Sequence, residues 1–247
     1  MKSPKLLARE VSLLLRSIPS WVTAFFVASL IAMNLLANKS IGGLPSWLAL
    51  DAGFIFSWVA FALMDITVKR FNARAANILS FVAILINLFV VFMFFLASLL
   101  SGEWSTSYNE NGQSVAELNN AVNQIFSGSW YVVFGSTMAI IISTVFNNCL
   151  NATIGRALKK DNFFAFAFRS YISTFLGQFV DNLAFAFIVS VHFFGWTVTQ
   201  SIFCAMTGAV EELLMEVIFS PFTYKAVRSW EKQNVGQEYL KFIEENK

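Results

Sequence analysis

Six long apolar runs, separated by short polar connections, dominate the chain: 21–37, 47–64, 76–100, 130–150, 163–194 and 197–224. Crossing a bilayer as a helix takes about 20 apolar residues, so each run is a candidate span. The fifth and sixth exceed one bilayer thickness and are expected to tilt, bend or project beyond it. The expected architecture is an all-α integral membrane protein with six transmembrane helices. It divides into a lead-in over 1–20, a six-helix domain over 21–228 and a polar tail over 229–247. Residues 6–18 read as an amphipathic helix lying on the membrane surface. Tyr239, Leu240 and Ile243 mark a possible helical stripe in the tail.

Lys and Arg set the orientation, because cytoplasmic connections retain them in excess. Lys2, Lys5, Arg9 and Arg16 precede the first run; Lys69, Arg70 and Arg74 follow the second. Arg156, Lys159 and Lys160 follow the fourth, and Lys225, Arg228, Lys232, Lys241 and Lys247 follow the last. The connections on the other side hold only Lys39. Both termini are therefore expected in the cytoplasm, with residues 101–128 as the one long external loop. The basic start suits a signal peptide, but the apolar run continues without a cleavage site, which predicts a retained first span. Within the long loop Val115, Leu118, Val122, Ile125 and Phe126 recur at helical spacing. That spacing predicts a short interfacial helix, or alternatively a lid over an outward-facing site.

Composition agrees: 57% of the 247 residues are hydrophobic and 13% charged, against about 25% charged in soluble domains. The net charge of +2 gives no general basic field for nucleic acid. Cys149 and Cys204 lie in apolar segments without paired spacing and read as free thiols.

Polar groups inside the apolar runs carry the chemistry. A charged side chain at the centre of a spanning helix costs roughly 2.5–3.5 kcal/mol on insertion scales, so it persists where it meets a cavity, a partner or a solute. Gln178, Asp181 and Asn182 stand together in the fifth run, and helical spacing aligns Tyr171, Thr174, Gln178, Asp181 and Phe185 on one face. Glu211 and Glu212 fall near mid-depth in the sixth, as ligands or as packing groups, with Glu216 a turn deeper. Asn34 and Asn38 lie toward the outer end of the first run and Asp51 toward that of the second. Asp65 beside Lys69 and Arg70 reads as an inner-edge ion pair. The candidate solute-binding set is Asn34, Asn38, Tyr171, Gln178, Asp181, Asn182, Glu211 and Glu212. Acids without basic residues at comparable depth favour a cationic or hydrogen-bond-donating ligand. In the first run Ala24, Ala28 and Ala32 form a small-residue face, suited to close helix approach by a neighbouring span or a separate subunit.

Enzyme constellations are missing. The single histidine, His192, sits at an expected interface, and the chain holds no His-Glu-x-x-His, Gly-x-Ser-x-Gly or Cys-x-x-Cys pattern. No nucleotide-binding Gly-x-x-x-x-Gly-Lys-Ser/Thr loop occurs, so this chain does not itself use ATP. No metal or cofactor is expected.

Two blocks carry a resemblance. Leu36-Ala37-Asn38-Lys39, followed by Met64-Asp65-Ile66-Thr67-Val68-Lys69-Arg70, resembles the front of the queuosine precursor transporter family, also called the vitamin uptake family. Ser173-Thr174-Phe175-Leu176-Gly177-Gln178-Phe179-Val180-Asp181-Asn182 resembles that family's more specific block, Ser-Thr-x-x-Gly-Gln/Asn-x-x-Asp. The likeness extends over about 34–230. It implies a six-helix importer of 7-deazaguanine precursors of queuosine in a bacterial cell membrane. The implied fold is similar to the substrate-binding (S) components of energy-coupling-factor transporters. Some of that wider group dock an Ala-x-x-x-Ala face on a shared membrane subunit that carries ATPases, which Ala24, Ala28 and Ala32 fit. The sequence departs from the family at Glu211, where a basic residue is frequent, and at Ala75 and Asn77, where arginines are frequent. The alternatives are a self-contained vitamin or nucleobase transporter, and an intramembrane enzyme whose buried acids do acid–base work.

Overall fold

The computed structural model describes residues 3–157 and 163–246, and the side chains within them apart from 144, 147–157, 163–171, 173 and 174. Those residues are mostly helical. In chain order the helices are α1 (Pro4–Ser17), α2 (Ser20–Leu36), α3 (Phe54–Phe71), α4 (Ala73–Leu99), α5 (Ala116–Ala157), α6 (Phe163–Phe185), α7 (Val191–Phe194), α8 (Val198–Lys232) and α9 (Gln237–Glu245). A π-helical turn, Ala186–Ser190, joins α6 to α7. The described residues contain no strand, only the isolated pairings Ser40–Asp51 and Tyr108–Ser114.

Three segments are long and apolar enough to cross a membrane by length and composition: Ala73–Leu99, Ala116–Ser143 and Phe175–Phe194. Taking α1 and α2 together adds a fourth, bent by 103°. Large apolar side chains point away from the protein along the bundle, among them Phe25, Phe81, Phe89, Phe92, Ile141 and Phe222. Aqueous surfaces rarely carry apolar patches of that extent. Helices also satisfy their own backbone groups, as lipid requires.

Local sequence explains the boundaries. Ser3 caps α1 by accepting the Leu6 amide at 3.4 Å, Pro4 occupies the first turn, and Pro19 stands at the bend into α2. Asn72, with φ of 85°, ends α3 and caps α4 through Ala75 N–H to Oδ1 at 3.1 Å, which folds the two into a tight hairpin. Thr197 and Gln200 form a reciprocal capping box at the start of α8.

Two elements begin elsewhere than the sequence predicts. The second span was expected from residue 47, but α3 starts at Phe54 and Asp51 lies outside it. Residues 38–53 instead fold back on themselves, with Ala52 N–H bonded to the Lys39 carbonyl at 2.7 Å and Ile41 N–H to that of Leu50 at 2.8 Å. The separate short helix expected over 115–126 is not found. Residues 116–126 are the first turns of α5, a continuous helix of 42 residues that runs through Ser127-Gly128-Ser129 into the apolar run. Phe126 there stacks on Trp104 (centroids 4.9 Å apart) and meets Phe94 of α4 edge-on. Leu118 and Ile125 of the same segment stay exposed.

The core at the end carrying both termini joins Leu14 and Ile18 of α1, Val22 and Phe26 of α2, Phe71 of α3, Leu79 of α4, Val227 and Trp230 of α8, and Tyr239 of α9. α1 and α9, expected only as a surface-lying amphipathic lead-in and a helical stripe in the tail, pack on one another. Arg74 holds the buried Glu10 of α1 with two bonds of 2.5 and 2.7 Å. Around the bundle α4 packs on α5, α5 on α6, α6 on α8, α8 on α3 and α3 on α2.

Candidate functional site

Where α3, α6 and α8 meet, their polar positions face one another. On α8, Cys204, Gly208, Glu212 and Glu216 recur every four residues and so form one stripe. Gln178, Asp181, Asn182 and Phe185 do the same on α6 at spacings of three and four, and Phe54, Ser57 and Phe61 on α3. Two cavities lie along these stripes. The upper cavity, at the end of the 38–53 connection, has a volume of about 90 Å³. The lower cavity, nearer the termini, has about 240 Å³.

Asp51, Asp181 and Glu212 bring three carboxylates to the upper cavity, with Asn34, Asn182, Ser57 and Ser136 as neutral polar groups. Phe54, Phe61 and Phe185 supply flat apolar walls. Neither cavity has a Lys, Arg or His among its described lining residues. Asp181 Oδ1 accepts the Ser143 hydroxyl of α5 at 2.7 Å. Asn182 Nδ2 donates to Glu212 Oε1 at 3.4 Å, a long bond, while Glu212 Oε2 is buried without a donor. Hydrogen bonds to charged groups contribute about 1.5–3 kcal/mol each, so these acids retain unused capacity for a donor-rich ligand.

Asp51 reaches the cavity through a turn rather than a helix. Its Oδ1 accepts the Gly53 amide at 2.8 Å. A Cβ on Gly53 would come within 2.6 Å of the Met33 carbonyl oxygen, so glycine lets the turn seat against α2.

The sequence-predicted residues divide. Asn34, Asp181, Asn182 and Glu212 meet at the upper cavity. Gln178 does not join them: one turn earlier on α6, it lines the lower cavity. Glu211 lines neither; it points beside the site, with its Oε2 3.3 Å from Ser57 Oγ. Asn38 is also away from both, because its amide donates to the Leu35 carbonyl at 3.0 Å and finishes α2. Tyr171, like Thr174, has its side chain outside the described residues. Asp65 forms the expected ion pair with Lys69, at 2.7 Å, while also bordering the lower cavity. Ala24 and Ala28 face outward from the bundle, Ala32 is half-buried, and Val22, Phe26 and Ser29 hold the inward side of α2. No group of three or more His, Cys, Asp or Glu side chains among the described residues is arranged to hold a metal ion.

Sequence reasoning did not select Ser57, Ser136, Ser143, Cys204 or Gly208, nor place Asp51 in the site. Serines in apolar helices ordinarily bond their own backbone, as Ser143 also can through the Ile140 carbonyl at 3.2 Å. Nothing in the linear pattern marks those that face a cavity. The four-residue repeat Cys204-Gly208-Glu212-Glu216 was the available signal.

A family model described as "Putative vitamin uptake transporter" matches residues 51–226, well over half of the chain. The match begins at Asp51 and takes in α3 to α7 and most of α8, while α1, α2 and α9 lie outside it. No curated protein and no solved structure matches the chain.

Proposed function

The chain belongs to the vitamin uptake transporter family, and from that premise we propose that it imports a flat, hydrogen-bond-donating heteroaromatic solute, a 7-deazaguanine precursor of queuosine. The family and the apolar helices make it a multi-pass membrane protein. The setting proposed here is the bacterial plasma membrane, with six spans (α2, α3, α4, α5, α6 with α7, and α8) and cytoplasmic termini, in keeping with the Lys and Arg distribution.

One observation carries the choice of solute. The upper cavity places Asp51, Asp181 and Glu212 among three phenylalanines with no basic side chain in its described lining. A deazaguanine presents a ring N–H and an exocyclic amine as adjacent donors, a pair that one carboxylate accepts with both oxygens. Asn182 and Ser57 suit its carbonyl and pyrrole edges, and the phenylalanine rings its faces. Asp181, already bonded to Ser143, is the preferred acceptor of the donor edge, and Glu212 of a further amine.

The small-residue face supports a membrane partner. Ala24 and Ala28 are exposed on the outward side of α2, which also carries Trp21 and Phe25. An open face of this kind suits docking on an energy-coupling subunit with associated ATPases, since small side chains let backbones approach closely.

The deciding experiment is accumulation of radiolabelled 7-aminomethyl-7-deazaguanine in cells that lack an importer of their own. Expression of this chain should confer uptake that excess unlabelled deazaguanine competes away. Absence of uptake, with the chain present in the membrane and any native partner subunits supplied, would defeat the reading. Copurification of ATPase subunits with the tagged chain tests the energy source.

A further inference from the structure

The lower cavity adjoins the upper one across a shared wall. Among their described lining residues the two have only Phe61 and Glu212 in common. The lower cavity is also the larger, about 240 against 90 Å³.

Its lining repeats the chemistry of the site above. Trp58 and Phe219 stack at 5.1 Å and 9°, giving a flat aromatic surface. Gln178 brings an amide with both donor and acceptor, and Glu216 a carboxylate. Asp65 is neutralised by Lys69 at 2.7 Å, so the acids available to a ligand are Glu212 and Glu216. Glu212 is 5% exposed, its Oε1 takes only a long bond from Asn182, and its Oε2 has no donor. A buried carboxylate oxygen without a partner is costly to maintain, and this one stands in the wall between two cavities.

We infer that the lower cavity is a second solute site, occupied after the upper one, with Glu212 accepting a solute N–H from either side: the further amine from above, the donor edge from below. The inference rests on the solute class proposed above. The stripe Cys204, Gly208, Glu212, Glu216 on α8 borders both cavities in series, so a solute would move along one helix face, keeping an acid within reach at each step. Phe61 is the apolar part of the barrier, and its ring must swing aside for passage.

Thiol protection separates the two sites in the full-length chain. Cys204 reports on the upper cavity and a Met215→Cys substitution on the lower one, each in a background without the other cysteines; Ala62→Cys replaces Met215→Cys if that variant fails to fold. A small membrane-permeant maleimide is applied with and without 7-aminomethyl-7-deazaguanine. The compound should slow modification at both positions several-fold. Trp58→Ala with Glu216→Gln, which alter only the lower cavity, should abolish protection at 215 and preserve it at Cys204. Protection of Cys204 alone would overturn the second site while leaving the solute class standing. Protection at 215 that survives Trp58→Ala with Glu216→Gln would also overturn it, since the lower cavity would then only be closing in response to the upper. Protection at neither position would remove the solute class, and this inference with it.

Discussion

Gly208 of α8 lies against the Asn182 amide of α6: a Cβ built on Gly208 would come within 2.6 Å of Asn182 Nδ2. The close approach is what allows Asn182 to reach Glu212, one turn further along α8. A helix-interior glycine costs about 1 kcal/mol relative to alanine, so its presence at 208 answers to this neighbour and not to helix stability.

Gly208→Ala is therefore expected to raise helix propensity and lower function together. Overpacking of this kind costs about 1–3 kcal/mol when the neighbour cannot retreat. The amide should rotate away and release Glu212 Oε1. Solute affinity and melting temperature of the purified protein check this: affinity should fall several-fold with little loss of Tm. Unchanged affinity would mean that Asn182 does not take part in binding.

Asp181 depends on α5 for its setting, through the 2.7 Å bond from Ser143. Asp181→Asn keeps the shape and removes the charge, and should weaken binding by about 1.5–3 kcal/mol, the worth of a hydrogen bond to a charged group. Ser143→Ala should weaken it less, because the carboxylate stays. Equilibrium binding to purified protein distinguishes them. An affinity for Asp181→Asn equal to wild type would take Asp181 out of the site.

How much of this was legible in the sequence depends on range. Asp181, Asn182 and Glu212 are conspicuous because carboxylates and amides are costly inside apolar runs unless a cavity or partner receives them. Gln178 is equally conspicuous, yet it sits three residues, about 4.5 Å of helix rise, before Asp181, enough to put it in a different cavity. Asp51 was visible as an acid, but its approach to the site depends on the fold-back of residues 38–53, set by the long-range pairing of Ser40 with Asp51. Hydropathy alone extended the second span over that turn because Trp47, Leu48 and Leu50 are as apolar as a helix would be. Residues 115–126 show the opposite limit. Their helical period was readable, but not their direct continuation into α5. The alanine face left two partners open, and only the packing of α2 shows that Ala24 and Ala28 point outward.

That outward face gives a test with few structural side effects. Ala28→Trp adds a large apolar side chain where the protein meets lipid, so folding and solute binding by the isolated chain should be unaltered. If a partner docks there, the bulk keeps the helices apart, and both uptake and copurification of the partner should be lost. Normal uptake by the variant would exclude this face as the docking surface.

At the terminal end, Tyr239 of α9 is fully buried against Phe71 and its hydroxyl has no hydrogen-bond partner. Burial pushes its phenol up from 10 to about 12, with the Glu10 carboxylate adding to the rise and Arg74 opposing it. The folded state therefore holds the phenolic proton more tightly than the unfolded chain does. Between pH 10 and about 12 the unfolded chain binds fewer protons, so stability falls as pH rises through that window and is fully present below it. The packing of α9 on α1 should weaken first, seen as faster proteolysis of the tail from alkaline-treated protein. Tyr239→Phe removes the titrating group and an unsatisfied hydroxyl while keeping the ring. It should match or exceed wild-type Tm at neutral pH and lose the alkaline step. An alkaline transition of the same size in Tyr239→Phe would place its origin in another group.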